Sequence, residues 1–481
     1  MAFSHYDRLS GIDATFLAIE TPDVHMHVGA TAIFEAAPLS DGTGGLAFDR
    51  IQSEVDSALQ ETPRFLQKLE TVPVLDHPVW VDDRNFNLGY HVRHTSLPHP
   101  GSIRQLKRLA GRIMSQKLDR GKPLWEMWVV EGIEEDRFAL ILKAHHCMVD
   151  GISGFDLFAR MMRLDASIRQ RPALRSLPRP APTQRRLLTD ELLRRAAFPI
   201  SALRAGVGAV LHPRDTISSI QETVLGLGEV VAAGLTPTSA TPLNPEIGPH
   251  RRFDWLRFDL TAIDAARARL GGTLNDFVLT AASGSIGRFL TNRGVRVKDL
   301  VFRAQVPMSI RTEAERGSPG NRIAMLLADL PLGERDPRKR LNRVIKTTQS
   351  MKRSRQRAGV ELLEELSDRV LTSIFVFFAN LASRQRSFNV VITNVPGPQR
   401  PIYLLGSRML EVYPLVPLAV TQALGIALVT YDQALHWGFN ADWEAIPDLH
   451  DLVTATGEEM EQLCKLAVGG AKPAAAKARR R

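Results

Sequence analysis

The sequence predicts an α/β protein built from two halves joined by a basic, proline-rich crossover. Three observations predict it. The first is a short apolar run of buried-strand type, Phe138-Ala139-Leu140-Ile141-Leu142, followed almost at once by His145-His146-Cys147-Met148-Val149-Asp150-Gly151. Beyond it Ile152, Phe155, Phe158, Ala159 and Met162 recur at helical spacing, so the histidines sit where a strand ends and a helix begins. The second is texture, because strand-like and helix-like segments mix on both sides of the crossover. The third is size, since 481 residues exceed what one ordinary core holds.

Taken in order, residues 1–170 offer strands at His25–Phe34, Trp128–Glu131 and Phe138–Ala144 and helices at Phe48–Leu59 and Ile103–Lys117. Residues 171–250 begin with alternating proline and arginine from Arg171 to Pro182, which reads as a linker. The pattern from Leu187 to Leu235 is amphipathic: Leu188, Leu192, Leu193 and Ala196 face one side and Arg185, Arg186, Arg194 and Arg195 the other. Such a helix lies on a bilayer surface or packs between halves. Residues 251–467 form the second α/β half. Its helix carries Leu274, Phe277, Val278, Ala281, Ala282, Ile286 and Phe289 behind Thr273 as N-cap, and its strands are Val301–Pro307, Phe388–Thr393 and Leu424–Thr430. A charge-free stretch from Val412 to Tyr431 is interrupted by Pro414, Pro417, Gln422 and Gly425, so it reads as two buried strands joined by a turn rather than a membrane span. Residues 468–481 are a basic tail expected to be disordered.

A hydrophobic share of 44% with 23% charged residues is globular composition and excludes a disordered chain. The net charge of +9 suits anionic lipid or a phosphate-bearing ligand. No DNA- or RNA-reading module accompanies it, so nucleic acid is not an expected partner. Only Cys147 and Cys464 are present, which excludes a disulfide framework and suits a reducing compartment. With no signal-peptide pattern at the N-terminus, the expected location is cytoplasmic with at most peripheral membrane contact.

Adjacent residues on a strand point to opposite faces, so His145 and His146 cannot both address one site while the strand lasts. His25 and His27 share a face, but no third ligand joins them in the sequence and no metal site is expected. The serine elbow Gly-x-Ser-x-Gly, the phosphate loop and the His-Glu-x-x-His pattern are all absent. Cys147, next to a functional histidine, would point away from the site on an extended chain. What remains is an imidazole acting directly as a general base, whose ordinary pKa of about 6.5 suits acyl transfer at neutral pH. Taken alone, the motif reads equally well as a core histidine before a turn.

The blocks around it carry a resemblance. His145-His146-x-x-x-Asp150-Gly151, preceded by Pro123-Leu124-Trp125-Glu126, resembles the bacterial wax ester synthase/diacylglycerol acyltransferase family of the coenzyme A-dependent acyltransferase superfamily. Leu9 to Leu17, Met26-His27-Val28-Gly29, Asn275 to Leu279, Val306 to Arg311, Gly320-Asn321-Arg322 and Thr393 to Pro398 follow in the family's order across nearly the whole chain. The resemblance implies two chloramphenicol acetyltransferase-like domains, with mixed β-sheets flanked by helices and an active-site tunnel at their interface. It makes His146 the general base, with His145, Asp150 and Gly151 shaping the site and Arg311 the partner of Asp150. Asn275, near a helix N-terminus, is a candidate oxyanion or site-shaping group.

The implied substrates are long-chain acyl-coenzyme A and diacylglycerol, the nearest likeness being to actinobacterial triacylglycerol synthases, with no cofactor. Long-chain fatty alcohol is the alternative acceptor, and contact with membrane or lipid inclusions is expected. The rivals are a carrier-dependent condensation enzyme, which would want an attached carrier domain, and a non-catalytic lipid-inclusion protein. The basic run Arg335–Arg357 is read as coenzyme A or lipid binding, or as a solvated helix face.

Overall fold

A computed structural model describes residues 6–42, 44–74, 76–148, 156–167, 178–194, 237–309, 323–353 and 386–469. The first half contributes β1 (Asp7–Arg8), β2 (His27–Glu35), β3 (Gln67–Thr71), β4 (Pro78–Asp82), β5 (Val92–Ser96), β6 (Trp125–Ile133) and β7 (Arg137–His145). The second contributes β8 (Arg251–Asp259), β9 (Arg303–Ser309), β10 (Ile323–Asp329), β11 (Val390–Pro396), β12 (Tyr403–Leu404), β13 (Ser407–Leu415), β14 (Leu424–Tyr431) and β15 (Ala434–Asp442). They form two six-stranded mixed sheets, β12-β13-β2-β7-β6-β5 and β10-β9-β11-β14-β15-β8, and a small sheet β1-β4-β3.

β7 is central in the first sheet and buried at nearly every position, which is why its sequence is a continuous apolar run rather than an alternation. It pairs with β2 from His27 opposite His145 to Glu35 opposite Arg137. The β14–β15 hairpin closes through Asp432 and Gln433, both at positive φ (43° and 63°), the two-residue primed turn whose twist suits adjoining strands.

Helices cover the sheets through faces the periodicity anticipates. Phe48–Leu59 buries Ile51, Val55, Ala58 and Leu59 in the first core. Leu274–Asn292 runs through the second core and carries the expected cap: Thr273 Oγ1 accepts from the Asp276 N–H at 3.3 Å, and Asp276 Oδ2 accepts from the Thr273 N–H at 2.7 Å. Ile33, Ile113 and Ile141 from the first half pack with Phe253, Trp255 and Tyr413 from the second, a cluster that welds the halves.

The structure departs from the sequence reading in three places. β12 and β13, inside the span 251–467, join the first sheet, where β13 pairs with β2 from Met409 opposite Phe34 to Leu415 opposite Gly29. The stretch Val412–Tyr431 does hold parts of two strands joined through a turn, but β13 and β14 lie in different sheets, so the link crosses between the halves. In the helix 184–194 Leu187 and Glu191 are buried while Leu192 and Leu193 are exposed, because Val79 and Val81 of the small sheet, with the adjoining Val72, receive Leu187. Residues 195–236, the rest of the amphipathic segment, lie outside the described residues, as do 168–177 and 470–481.

Candidate active site

β7 stops at His145, and His146–Met148 turn into a short 3₁₀ segment. The two histidines therefore have different neighbours. The His145 N–H donates to Leu124 O (2.9 Å), which ties the strand end to the Pro123-Leu124-Trp125-Glu126 block. Leu124 and Trp125 are fully buried, and Trp125 Nε1 donates to Phe65 O (2.8 Å). The His146 N–H donates to Met26 O (2.7 Å), and its ring stacks on Phe16 with centroids 3.9 Å apart. Met26 belongs to the second half's core and Phe16 packs against both cores, so His146 stands at the seam of the molecule.

His146 keeps some accessible surface, yet its ring is enclosed enough that burial pushes its pKa down to about 4. At neutral pH it is an uncharged base. Its Nδ1 is buried and makes no hydrogen bond among the described residues. His145 is pushed to about 3, by burial first and then by the Arg120 charge. Its Nδ1 accepts from the Cys147 N–H (3.2 Å), which assigns the proton to Nε2. Burial raises the Cys147 thiol well above its ordinary pKa, which disfavours the nucleophilic thiolate.

The same burial acts on His77 and His436, both held near pKa 4. Their folded pKa lies below the unfolded value of about 6.5, so the unfolded chain binds more protons between those limits. Stability is complete above pH 6.5 and falls as the pH drops toward 4, by about 1.4 kcal/mol per pH unit for each group. Urea midpoints at pH 7.5 and 5 should show the loss, and His436→Phe should reduce its slope. An unchanged slope would show that His436 does not contribute.

A cavity of about 810 Å³ opens beside the turn, lined by Ser10, Asp13, Phe65, Trp80, Cys147 and Met148 among others. Ser10 and Asp13 come from the Leu9–Leu17 block, where Ser10 Oγ caps the helix Gly11–Ile19 by accepting from the Asp13 N–H (3.0 Å). Asp150, Gly151 and Arg311 lie outside the described residues. Asn275 Oδ1 accepts from Asn394 Nδ2 (2.7 Å), joining two blocks singled out in the sequence; among the described residues no hydrogen bond links it to His146. In the basic run, Arg340 is buried against Glu459 and Arg343 pairs with Glu334 (3.1 Å), while Lys339 and Lys346 face solvent.

The residue that the sequence did not offer is Glu20. Its Oε2 takes the Arg120 guanidinium (2.6 Å), and its Oε1 lies 3.8 Å from both His27 Nε2 and His145 Nε2. It is the third donor that His25 and His27 lacked. The spacing Glu20-x4-His25-x-His27 was the available signal.

Two mixed, helix-flanked sheets that share strands across the seam define the fold of two-half acyltransferases and condensation domains. Among solved structures it is matched by a wax ester synthase/diacylglycerol acyltransferase from Marinobacter aquaeolei VT8, with TM-score 0.67 and 24% identity over 96% of this chain and 100% of that one. The first condensation domain of the calcium-dependent antibiotic synthetase matches with TM-score 0.59 and 16% identity, over 96% of each chain. Residues 9–278 match the family model of the wax ester synthase/diacylglycerol acyltransferase catalytic domain, and 319–464 that of its C-terminal domain. The chain belongs to the wax ester synthase/diacylglycerol acyltransferase family. A relative named probable diacylglycerol O-acyltransferase tgs1, from Mycobacterium tuberculosis, is 31% identical over 465 residues, 95% of this chain and 96% of its own length. The O-acyltransferase WSD of Acinetobacter baylyi is 30% identical over 473 residues, 94% and 96% of the two lengths.

Proposed function

We propose that this protein transfers a long-chain acyl group from acyl-coenzyme A to diacylglycerol, with His146 as general base. The observation that carries the reading is the place of His146 at the end of β7, its backbone N–H held by Met26 O and its ring stacked on Phe16 at the seam between the halves. His146 takes the acceptor's hydroxyl proton as that oxygen attacks the thioester carbonyl. The resulting oxyanion collapses, the C–S bond breaks, and the imidazolium returns its proton to the leaving thiolate. The products are the ester and free coenzyme A, and no cofactor enters the balance. The family resemblance gives His145, Asp150 and Gly151 site-shaping roles beside His146, and Asn275, which accepts from Asn394 Nδ2, is the oxyanion or site-shaping candidate of the second half.

Diacylglycerol is favoured by the names of the mycobacterial relatives. Fatty alcohol is the second reading, because the name of the matching family model joins wax ester synthase to diacylglycerol acyltransferase. Contact with a lipid surface is the natural route for either acceptor. The exposed Leu192 and Leu193 beside Arg185 and Arg194 supply an apolar edge with basic flanks for it. No helix among the described residues is long and apolar enough to cross a membrane.

The test offers purified protein palmitoyl-coenzyme A with diacylglycerol or hexadecanol while thiol release and lipid product are followed together. Diacylglycerol should give the faster thiol release with matching triacylglycerol. Product from hexadecanol alone would replace the acceptor, and release with neither would sink the assignment.

A further inference from the structure

Behind the His145–His146 turn lies a group of imidazoles for which acyl transfer has no evident use. His25 and His27 are buried, their rings stack with centroids 5.4 Å apart, and neither ring nitrogen of either makes a hydrogen bond among the described residues. The Met114 backbone approaches His27 without forming a bond of ordinary geometry. Four unpaired imidazole nitrogens in one buried spot are an anomaly, because buried polar atoms are nearly always satisfied. Glu20, with 4% of its side chain exposed, presents Oε1 to the same spot, and one donor atom from each of Glu20, His25 and His27 lies within 4.8 Å of the others.

We propose that Glu20, His25 and His27 bind one first-row divalent transition metal ion of the Zn2+ class. Two imidazole nitrogens and one carboxylate oxygen are the donor set such ions take, at about 2.0–2.2 Å. Tetrahedral ligands at that range stand about 3.3 Å apart, so small side-chain rotations close the present spacing. His145 stays outside the ligand set. Its Nδ1 is the acceptor for Cys147, and its Nε2 lies 3.8 Å from Glu20 Oε1, beyond hydrogen-bond distance.

The cations around the cluster have oxygen partners of their own. Arg120 donates to Leu17 O (2.7 Å) and Glu20, Lys143 to Ile113 O (3.1 Å) and Gln116 O (2.5 Å), and Arg251 to Gly248 O (2.5 Å) and Asp23 O (2.7 Å). Lys117 lies 3.9 Å from Glu20. Arg120, Lys143 and Arg251 are thus tied to the wall, and the Glu20 carboxylate, held through Oε2, keeps Oε1 for the ion.

The ion would tie Glu20, at the C-terminal end of the helix Gly11–Ile19, to His25 and His27 at the start of β2. His25 and His27 flank Met26, whose carbonyl holds the His146 backbone. Its role is therefore structural, and its removal should be felt at His146 through that carbonyl.

The test uses the full chain, stripped with a chelator and titrated with Co2+. Wild type should take one equivalent and develop the visible d–d bands of a nitrogen- and oxygen-ligated ion. His25→Gln and Glu20→Gln, checked for folding by circular dichroism, should bind more weakly by more than the 10–100-fold that loss of an outer-shell partner costs. Zn2+ should compete the Co2+ signal away and raise the thermal midpoint of wild type. Substoichiometric Co2+ in wild type would overturn the proposal, whether or not the variants fold. Equal binding by wild type and folded variants would overturn it as well.

Discussion

His146→Ala is expected to lower acyl transfer by about 10²–10⁴-fold, the usual contribution of a positioned general base, equivalent to roughly 3–5 kcal/mol of barrier. The substitution is clean for structural reasons. Nδ1 has no hydrogen-bond partner to orphan, and the backbone bond to Met26 O survives in alanine. Of the ring–ring contacts, the stack on Phe16 is lost, a contact worth about 0.5–1.5 kcal/mol. Turnover should therefore collapse while urea unfolding shifts little, and KM for palmitoyl-coenzyme A should change far less than kcat. A variant with wild-type kcat would remove His146 from the mechanism. One that failed to fold would show that the ring's packing had been underestimated.

The largest expected effect on stability lies at Gly438, in the middle of β15. A β-carbon there would sit 1.9 Å from Pro414 O and 3.2 Å from Phe253 Cε2. The obstacle is the backbone of β13 itself, paired with β2 at Pro414 and followed by Val416, whose O accepts from Asn440 Nδ2 (2.8 Å), so it cannot swing aside as a side-chain end would. Gly438→Ala should cost about 3 kcal/mol, at the upper end of overpacking penalties, read as a lower urea midpoint. The control is Gly457, a helical glycine whose added β-carbon would meet nothing closer than Phe258 Cζ at 4.0 Å. Gly457→Ala should stabilise by about 0.5–1 kcal/mol through helix propensity. Equal effects at the two positions would show that the close crossing does not limit stability.

Local features were legible in the sequence. The helix Phe48–Leu59 ends where its apolar period ends, Thr273 caps as its side chain allows, and the apolar run at Phe138 is the centre of β7. These depend on neighbours within a few residues. What was not legible depends on partners far along the chain. The face Leu188-Leu192-Leu193 was a sound helical stripe, but the small sheet selects Leu187, and Glu191 is drawn inward to Arg8 (3.3 Å). No periodicity in Ser407–Leu415 says that it pairs with β2 rather than with its own half. Of the site, the strand-end position of His146 was legible from its lead-in. Its stack on Phe16 and the approach of Glu20 to His27 arise only when the first helix folds back over the turn.

The partnership of β13 with β2 also sets a timetable for synthesis. As the chain leaves the ribosome, β2 can find β7 early, but its other edge stays open until residue 415 has emerged. The half that carries His146 is thus finished only when most of the second half exists. A fragment ending in the crossover would expose the β2 edge, a template for pairing with other chains. The same long-range closure makes slow folding and reliance on chaperones the expected behaviour when the protein is made in a foreign host.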